Sequence, residues 1–131
     1  MPSLLDADWL IDYLDDDPAA IALVDPLIPD GVAVSIITYT EAYQGTLRKD
    51  DPARAALELD AFLGHAPLLP YSVEVARRCA RVREDLKAQG KHTRSRALDL
   101  LIAATALEYG LTLVTRNRGD YDDIPGLTIY S

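Results

Sequence analysis

Four carboxylates stand where a chain has to justify them. Asp6 directly follows the apolar run SLL, and Glu41 lies three residues after Thr38 in SIITYTEAYQG. Asp99 interrupts the apolar stretch ALDLLIAATAL, and Asp120 ends the segment RNRGD that follows LTLVT. Acids gathered within a few ångströms raise one another's pKa, and a divalent cation relieves that repulsion. Carboxylate and water oxygens suit Mg²⁺ or Mn²⁺, whereas zinc prefers His and Cys. His65 and His92 are the only histidines and lack ligand spacing, which argues against zinc. An ion held by few carboxylates keeps waters, one of which can attack a phosphodiester while the metal neutralises the leaving oxygen. Together such acids imply metal-dependent phosphoryl transfer or hydrolysis.

Those acids meet only if the elements bring them together. Short runs rich in Val, Leu and Ile alternate with longer helical patterns, the signature of a parallel sheet built from βαβ units. The expected strands are SLL ending at Asp6, VAVSI at 32–36, PLLPY at 67–71, LTLVT at 111–115 and LTIY at 127–130. Helical patterns fill the gaps: ADWLIDYL, PAAIALVDPLI, TYTEAYQGTLR after Thr38, PARAALELDAFLG, a long stretch from Ser72 to Gly90, and a last helix over Arg96 to Tyr109. Pro18 after Asp17 and Pro52 after Asp51 read as first-turn prolines behind capping acids. Thr93 or Ser95 is expected to cap the last helix and Gly110 to end it. That helix is apolar on nearly all sides and should be buried, so Asp99 is expected to face a cleft. In an open parallel sheet, ligands bind beyond the carboxyl ends of the strands. Topology alone therefore puts Asp6, Glu41 and Asp120 on one rim, with Thr38, Thr115 and Asn117. Asp99 joins them only if its helix folds back.

The composition suits one domain over residues 1–131. Half the residues are hydrophobic and a quarter charged. A single cysteine, Cys79, excludes an internal disulfide, and it falls in the apolar stripe Val75, Cys79, Val82, Leu86, so it reads as core. No signal peptide or membrane span is apparent, and the cytoplasm is the expected compartment. A net charge of −8 argues against electrostatic coating of nucleic acid. Residues 77–96, however, hold eight of the thirteen Lys and Arg against two acids, a local +6 that leaves −14 elsewhere. That strip could grip a phosphate backbone, or could be a solvated face with pairs such as Glu74–Arg78. Asp12, Asp15, Asp16 and Asp17 read as solvated surface, Asp122 and Asp123 as turn formers. Asp8 and Thr38 read as helix caps. Arg116 and Arg118, flanking the site strand, are candidate phosphate contacts.

The order LLDADWLIDYL, SIITYTEAYQG, ALDLLIAATALEYG and LTLVTRNRGDY…IPGLTIY resembles the PIN-domain family, in particular VapC-like ribonuclease toxins of toxin–antitoxin pairs. Each motif alone is weak, but their order and spacing from Leu4 to Tyr130 are specific. The resemblance implies an α/β three-layer sandwich, its mostly parallel sheet of about five strands flanked by helices. It implies a Mg²⁺- or Mn²⁺-dependent endoribonuclease acting on single-stranded or loop RNA, such as tRNA or rRNA, with a cognate antitoxin and a homodimeric state. Carried over by position, Asp6, Glu41, Asp99 and Asp120 are the catalytic, metal-site acids, with Thr115 and Asn117 orienting ligands or water. The chain departs from the family at Asn117, where an acid is frequent, and at Asp8, where Asn or Ser is more usual.

Two rival readings accompany this one. A strand ending in Asp-x-Asp also resembles haloacid-dehalogenase-type phosphatases, with Asp6 as nucleophile and Asp8 as general acid. That chemistry needs a lysine at the site, and Lys49, Lys87 and Lys91 all lie in helical or linker stretches. The other rival is a non-catalytic module of the same fold that binds RNA or an antitoxin.

Overall fold

The computed structural model describes residues 2–131. Four parallel strands form one sheet in the order β3-β2-β1-β4: β1 Ser3–Leu5, β2 Val32–Ser35, β3 Leu68–Leu69 and β4 Thr112–Val114. The helices are α1 Ala7–Leu14, α2 Pro18–Val24, α3 Ile36–Thr46, α4 Pro52–Leu63, α5 Val73–Ala88 and α6 Ala97–Tyr109.

Successive strand residues point to opposite faces, and this alternation sorts the core into two halves. Leu4, Ala33 and Leu113 pack against the stripe of α5 (Val75, Cys79, Val82, Leu86) and against α6. Leu5, Val32, Val34 and Val114 face the other way, onto Leu10 of α1, Val24 of α2, Ala42 of α3 and Leu59 and Phe62 of α4. Sheet and two helical layers make the expected three-layer sandwich. Each fully buried Leu or Val adds about 1.5–3 kcal/mol of transfer free energy.

The fifth strand is not formed as such. The 127–130 segment touches β4 through one parallel bridge, Leu113 to Ile129, with Leu113 N–H donating to Thr128 and Tyr130 N–H to Leu113. Gly126, at φ +80°, turns the backbone just before it, and β4 offers an edge only three residues long. Strand β3 is also shorter than expected, because Pro67 and Pro70 bracket it and neither can donate to a ladder. Beyond α2, Pro26 and Pro29 convert the expected helix into a 3-10 segment, Asp25–Asp30.

Capping explains most helix starts. Asp17 and Asp51 cap α2 and α4 ahead of their prolines, and Ser72 caps α5. Three caps differ from expectation. Asp6, not Asp8, occupies the N-cap of α1, because β1 ends at Leu5 and the helix starts at once at Ala7. Ser35, not Thr38, caps α3, its hydroxyl oxygen accepting the Thr38 N–H at 3.0 Å. Neither Thr93 nor Ser95 caps α6; a 3-10 turn, Arg94–Arg96, carries the chain in, and Arg96 at the cap position supplies no side-chain acceptor. Gly110 closes α6 in the left-handed region, φ +64°.

Candidate active site

Because β1 and β4 are parallel neighbours in register (Leu5 opposite Val114), Asp6 and Thr115 leave the sheet side by side. The chain runs from β1 through β2 to β3 on one side of β1 and returns to β4 on the other. This reversal of strand order makes the crevice where open α/β sheets bind ligands. Asp6 lies at it, 8% exposed. One carboxylate oxygen accepts the Ala7 N–H and the other accepts the Thr115 hydroxyl, both at 2.8 Å. The Thr115 oxygen in turn accepts the Asn117 N–H at 3.1 Å, so Asn117 contributes backbone to the site. Thr115 thus holds the Asp6 carboxylate from the neighbouring strand end. Thr38 is fully buried and receives the Ser35 hydroxyl proton at 3.2 Å; it braces the start of α3.

The fold-back that Asp99 needs comes with the topology. Helix α6 leads into β4, so it begins at the rim where β4 ends, and Asp99 sits in its first turn. The half-buried Asp99 carboxylate accepts a hydrogen bond at 3.2 Å from the Tyr121 hydroxyl. Tyr121 is 1% exposed. Burial, then the charges of Asp6 and Asp99, push its pKa far above the tyrosine range and keep it a neutral donor. Glu41, one turn into α3, is exposed on the same rim.

The acids sense one another. Burial raises the pKa of Asp6 against the lowering hydrogen bonds of Thr115 and Ala7, and Asp8 and Asp99 push it up further. Glu41, although exposed as a residue, is raised by partial desolvation of its carboxyl group and then by Asp6, Asp8 and Asp99. Asp99 is raised chiefly by burial; the Tyr121 hydrogen bond opposes this, while Asp120 adds to it and Arg96 subtracts. Asp6, Glu41 and Asp99 therefore converge electrostatically, and Asp120 reaches Asp99 from an exposed 3-10 turn, Arg118–Asp120. Among the described residues, no three acid, His or Cys side chains close on a common point as a ready-made ligand cage. The donor set is nonetheless all carboxylate, which fits a hard ion held by one or two acids plus water rather than a protein-enclosed metal.

Three residues missed by sequence reasoning hold the rim together. Arg96 makes a two-pronged ion pair with Asp123 (2.7 and 2.9 Å) and donates to the Asp120 carbonyl at 2.8 Å. Lys91 reaches the same Asp123 carboxylate at 2.9 Å. Asp123 is therefore an anchor as well as a turn residue, and these cations hold its pKa far below the carboxylate range. Tyr121 is the third. Its position directly after Asp120 was the available signal.

The two candidate phosphate-contacting arginines both have partners within the chain. Arg116 donates to Asp12 at 2.6 Å and lies 3.7 Å over the Trp9 ring, and Arg118 donates to the Tyr130 carbonyl. Asp12 and Asp15 are thus paired rather than free surface charges, Asp15 with Lys49 at 2.7 Å. Arg78 pairs with Glu108 of α6 at 3.4 Å instead of Glu74.

Residues 3–127 match the PIN domain. The chain belongs to the PIN-domain family. Its PIN-family relatives include the tRNA(fMet)-specific endonuclease VapC of Shigella flexneri, 25% identical over 124 residues that cover 95% of this chain and 92% of that one. Toxin FitB of Neisseria gonorrhoeae is 33% identical over 128 residues, 90% of this chain and 89% of that one. The crystal structure of DNA-bound VapBC from Salmonella typhimurium superposes with a TM-score of 0.83 at 26% identity, over 99% of this chain and 98% of that chain. The PIN fold expected from the four motifs is the fold observed.

Proposed function

We propose that this PIN-domain chain is a divalent-metal-dependent endoribonuclease that hydrolyses phosphodiester bonds of single-stranded or loop RNA, the toxin of a toxin–antitoxin pair. The observation that carries the reading is the gathering of carboxylates at the crevice between β1 and β4, where Asp99 raises the pKa of Asp6 and both raise that of Glu41. Its relatives named as endonuclease and toxin support the substrate class and the biological role.

Asp6 and Asp99 are the residues to hold Mg²⁺ or Mn²⁺, with Glu41 and Asp120 adding ligands or water-mediated charge. When bound, the ion supplies an activated water and neutralises charge on the scissile phosphate. Thr115 fixes the Asp6 carboxylate, and Tyr121 fixes that of Asp99. Asp8, exposed beside them, adds negative charge that Glu41 and Asp6 register. Arg116 and Arg118 can meet phosphate only by exchanging their present partners. Residues 1–131 act as a single domain in the cytoplasm; no described helix is long and apolar enough to cross a membrane. A cognate antitoxin and a homodimeric state complete the proposal, the antitoxin supported by likeness to the VapBC complex.

The phosphatase reading lacks its lysine. Lys49 pairs with Asp15, Lys87 with Glu84 and Lys91 with Asp123, none of them at Asp6.

The deciding experiment incubates a transfer RNA pool with the chain and Mg²⁺ or Mn²⁺, beside chelator-treated, Asp6→Asn and Asp99→Asn samples. Cleavage present in the first and absent in the other three is expected. Cleavage that survives chelator or either substitution overturns the metal-site assignment, and no cleavage of any RNA favours a binding module.

A further inference from the structure

Beside the acidic rim lies a cleft of opposite character. Arg83 and Lys87 stand one turn apart on the same face of α5, and Arg94 approaches from the 3-10 turn that leads into α6. With Thr93 and Ala97 they line a cleft of about 240 Å³. Its cations are held by no close ion pair. Among the described residues no carboxylate is ion-paired with Arg83 or Arg94, and Lys87 has only an exposed i,i+3 contact with Glu84 at 3.7 Å. Such an exposed pair is worth little and exchanges readily. Arg83 hydrogen-bonds the sulfur of the buried Cys79, a neutral partner.

The neighbouring helix end adds to the same field. Helix α6 starts here without a side-chain cap: the 3-10 turn leads in, the Ala97 N–H donates to the Arg94 carbonyl, and Asp99 is the acid of its first turn. Ala97, small enough to leave room, belongs to the cleft wall; Asp99, two residues on, belongs to the acid site. The first turn of α6 thus contributes to both, Ala97 on the side of the cations and Asp99 on the side of the carboxylates. On a chain of net charge −8, a local cluster of three cations makes a field that attracts a polyanion.

We infer that the Arg83–Lys87–Arg94 cleft binds a backbone phosphate of the RNA a short distance from the scissile bond, setting the register in which the strand crosses Asp6 and Asp99. This rests on the nuclease reading and adds a substrate subsite to it. The lining groups are cations, a hydroxyl and a methyl, which grip phosphate without reading a base.

The test titrates a fluorescently labelled single-stranded RNA of mixed sequence into the full chain in chelator, across a series of salt concentrations. The variants are Arg94→Gln, the double Arg83→Gln/Lys87→Gln, and Arg54→Gln as a control on the remote α4 surface. Folding of each is checked by its thermal midpoint. Several-fold weaker binding in the cleft variants is expected, with the log–log salt slope shallower by about 0.7 for each phosphate no longer neutralised. Arg54→Gln should change neither. Unaltered affinity and slope in the cleft variants, or an equal loss in Arg54→Gln, overturns the subsite. Cleavage of the same RNA with Mn²⁺ separates the two claims. Cutting with no cleft effect removes the subsite alone, cleft-dependent binding without cutting removes the nuclease alone, and no binding at all removes both.

Discussion

Arg96 and Asp123 face each other as a two-pronged ion pair, and the same guanidinium holds the carbonyl of Asp120. Arg96 stands three residues before Asp99 and Asp123 three residues after Asp120, so the pair fastens the two acid-bearing segments to each other. A planar fork suits this task, because it satisfies two acceptor directions at once.

Asp123→Asn should therefore destabilise the chain by about 1–3 kcal/mol at neutral pH, since hydrogen bonds to charged groups are lost on both Arg96 and Lys91. The folded pKa of Asp123 lies below its ordinary 3.8, so its contribution is present above 3.8 and fades as pH falls through the lower folded value. Denaturant titrations at pH 7, 5 and 3 should show the gap between wild type and variant open at the first two and narrowing at the third. Arg96→Lys should recover charge but not the fork, and nuclease activity should fall through looser placement of Asp120. A gap that does not change with pH would contradict the ion pair.

Thr115→Val isolates the support of Asp6. The hydroxyl lowers the Asp6 pKa against burial, and valine keeps the shape while removing the donor. The Asp6 pKa should rise further, so the acid limb of the pH–rate profile should move to higher pH while activity well above that limb partly recovers. The Asn117 N–H loses its acceptor as well, and a stability loss of about 1–3 kcal/mol is expected from the unsatisfied groups. Activity that is low but has an unchanged pH profile would point to a packing role alone.

Asp99→Asn should stabilise the metal-free chain. A carboxylate whose folded pKa is raised favours the folded state most below its unfolded value and loses that advantage as pH rises through the folded value. At neutral pH the ionised Asp99 is therefore a cost, which asparagine removes while still accepting from Tyr121. A rise of about 2–4 °C in the chelator-treated midpoint at pH 7.5 is expected, disappearing below about pH 4. Adding Mn²⁺ should raise the wild-type midpoint by mass action and leave that of the variant nearly unmoved. Equal metal-induced shifts in both would remove Asp99 from the ion's ligands.

The sheet and the positions of Asp6 and Thr115 were legible in the sequence because hydrophobic runs and topology determine them jointly, whereas the place of Asp99 hung on the fold-back of α6. Once β1 and β4 are parallel, the residues after Leu5 and Val114 must share a rim. The caps were less legible, because Asp6 and Asp8, or Ser35 and Thr38, are chemically alike and only the strand's last residue chooses between them. Arg96 and Asp123 were invisible as a pair: they lie 27 residues apart and look like ordinary members of a basic strip and a turn. Likewise nothing local in Arg116 discloses that Trp9 and Asp12, more than 100 residues away, already hold it.

Tyr121 carries two duties that substitution can separate. Its ring is part of the core shared with Ile124 and Leu113, and its hydroxyl alone reaches Asp99. Tyr121→Phe keeps the ring, so stability should fall by only about 0.5–1.5 kcal/mol, the net worth of one hydrogen bond. The Asp99 pKa, which that bond lowers, should rise, and divalent affinity measured by the thermal midpoint should weaken most at mildly acidic pH. Tyr121→Ala empties the core position as well and should cost about 3–5 kcal/mol. If the phenylalanine variant binds metal like wild type across pH 5 to 8 while the alanine variant unfolds, Tyr121 is a core residue whose hydroxyl is incidental. If the phenylalanine variant is stable and shifted, the hydroxyl tunes the site, and the chain places one buried tyrosine to keep Asp99 ionised beside its like-charged neighbours.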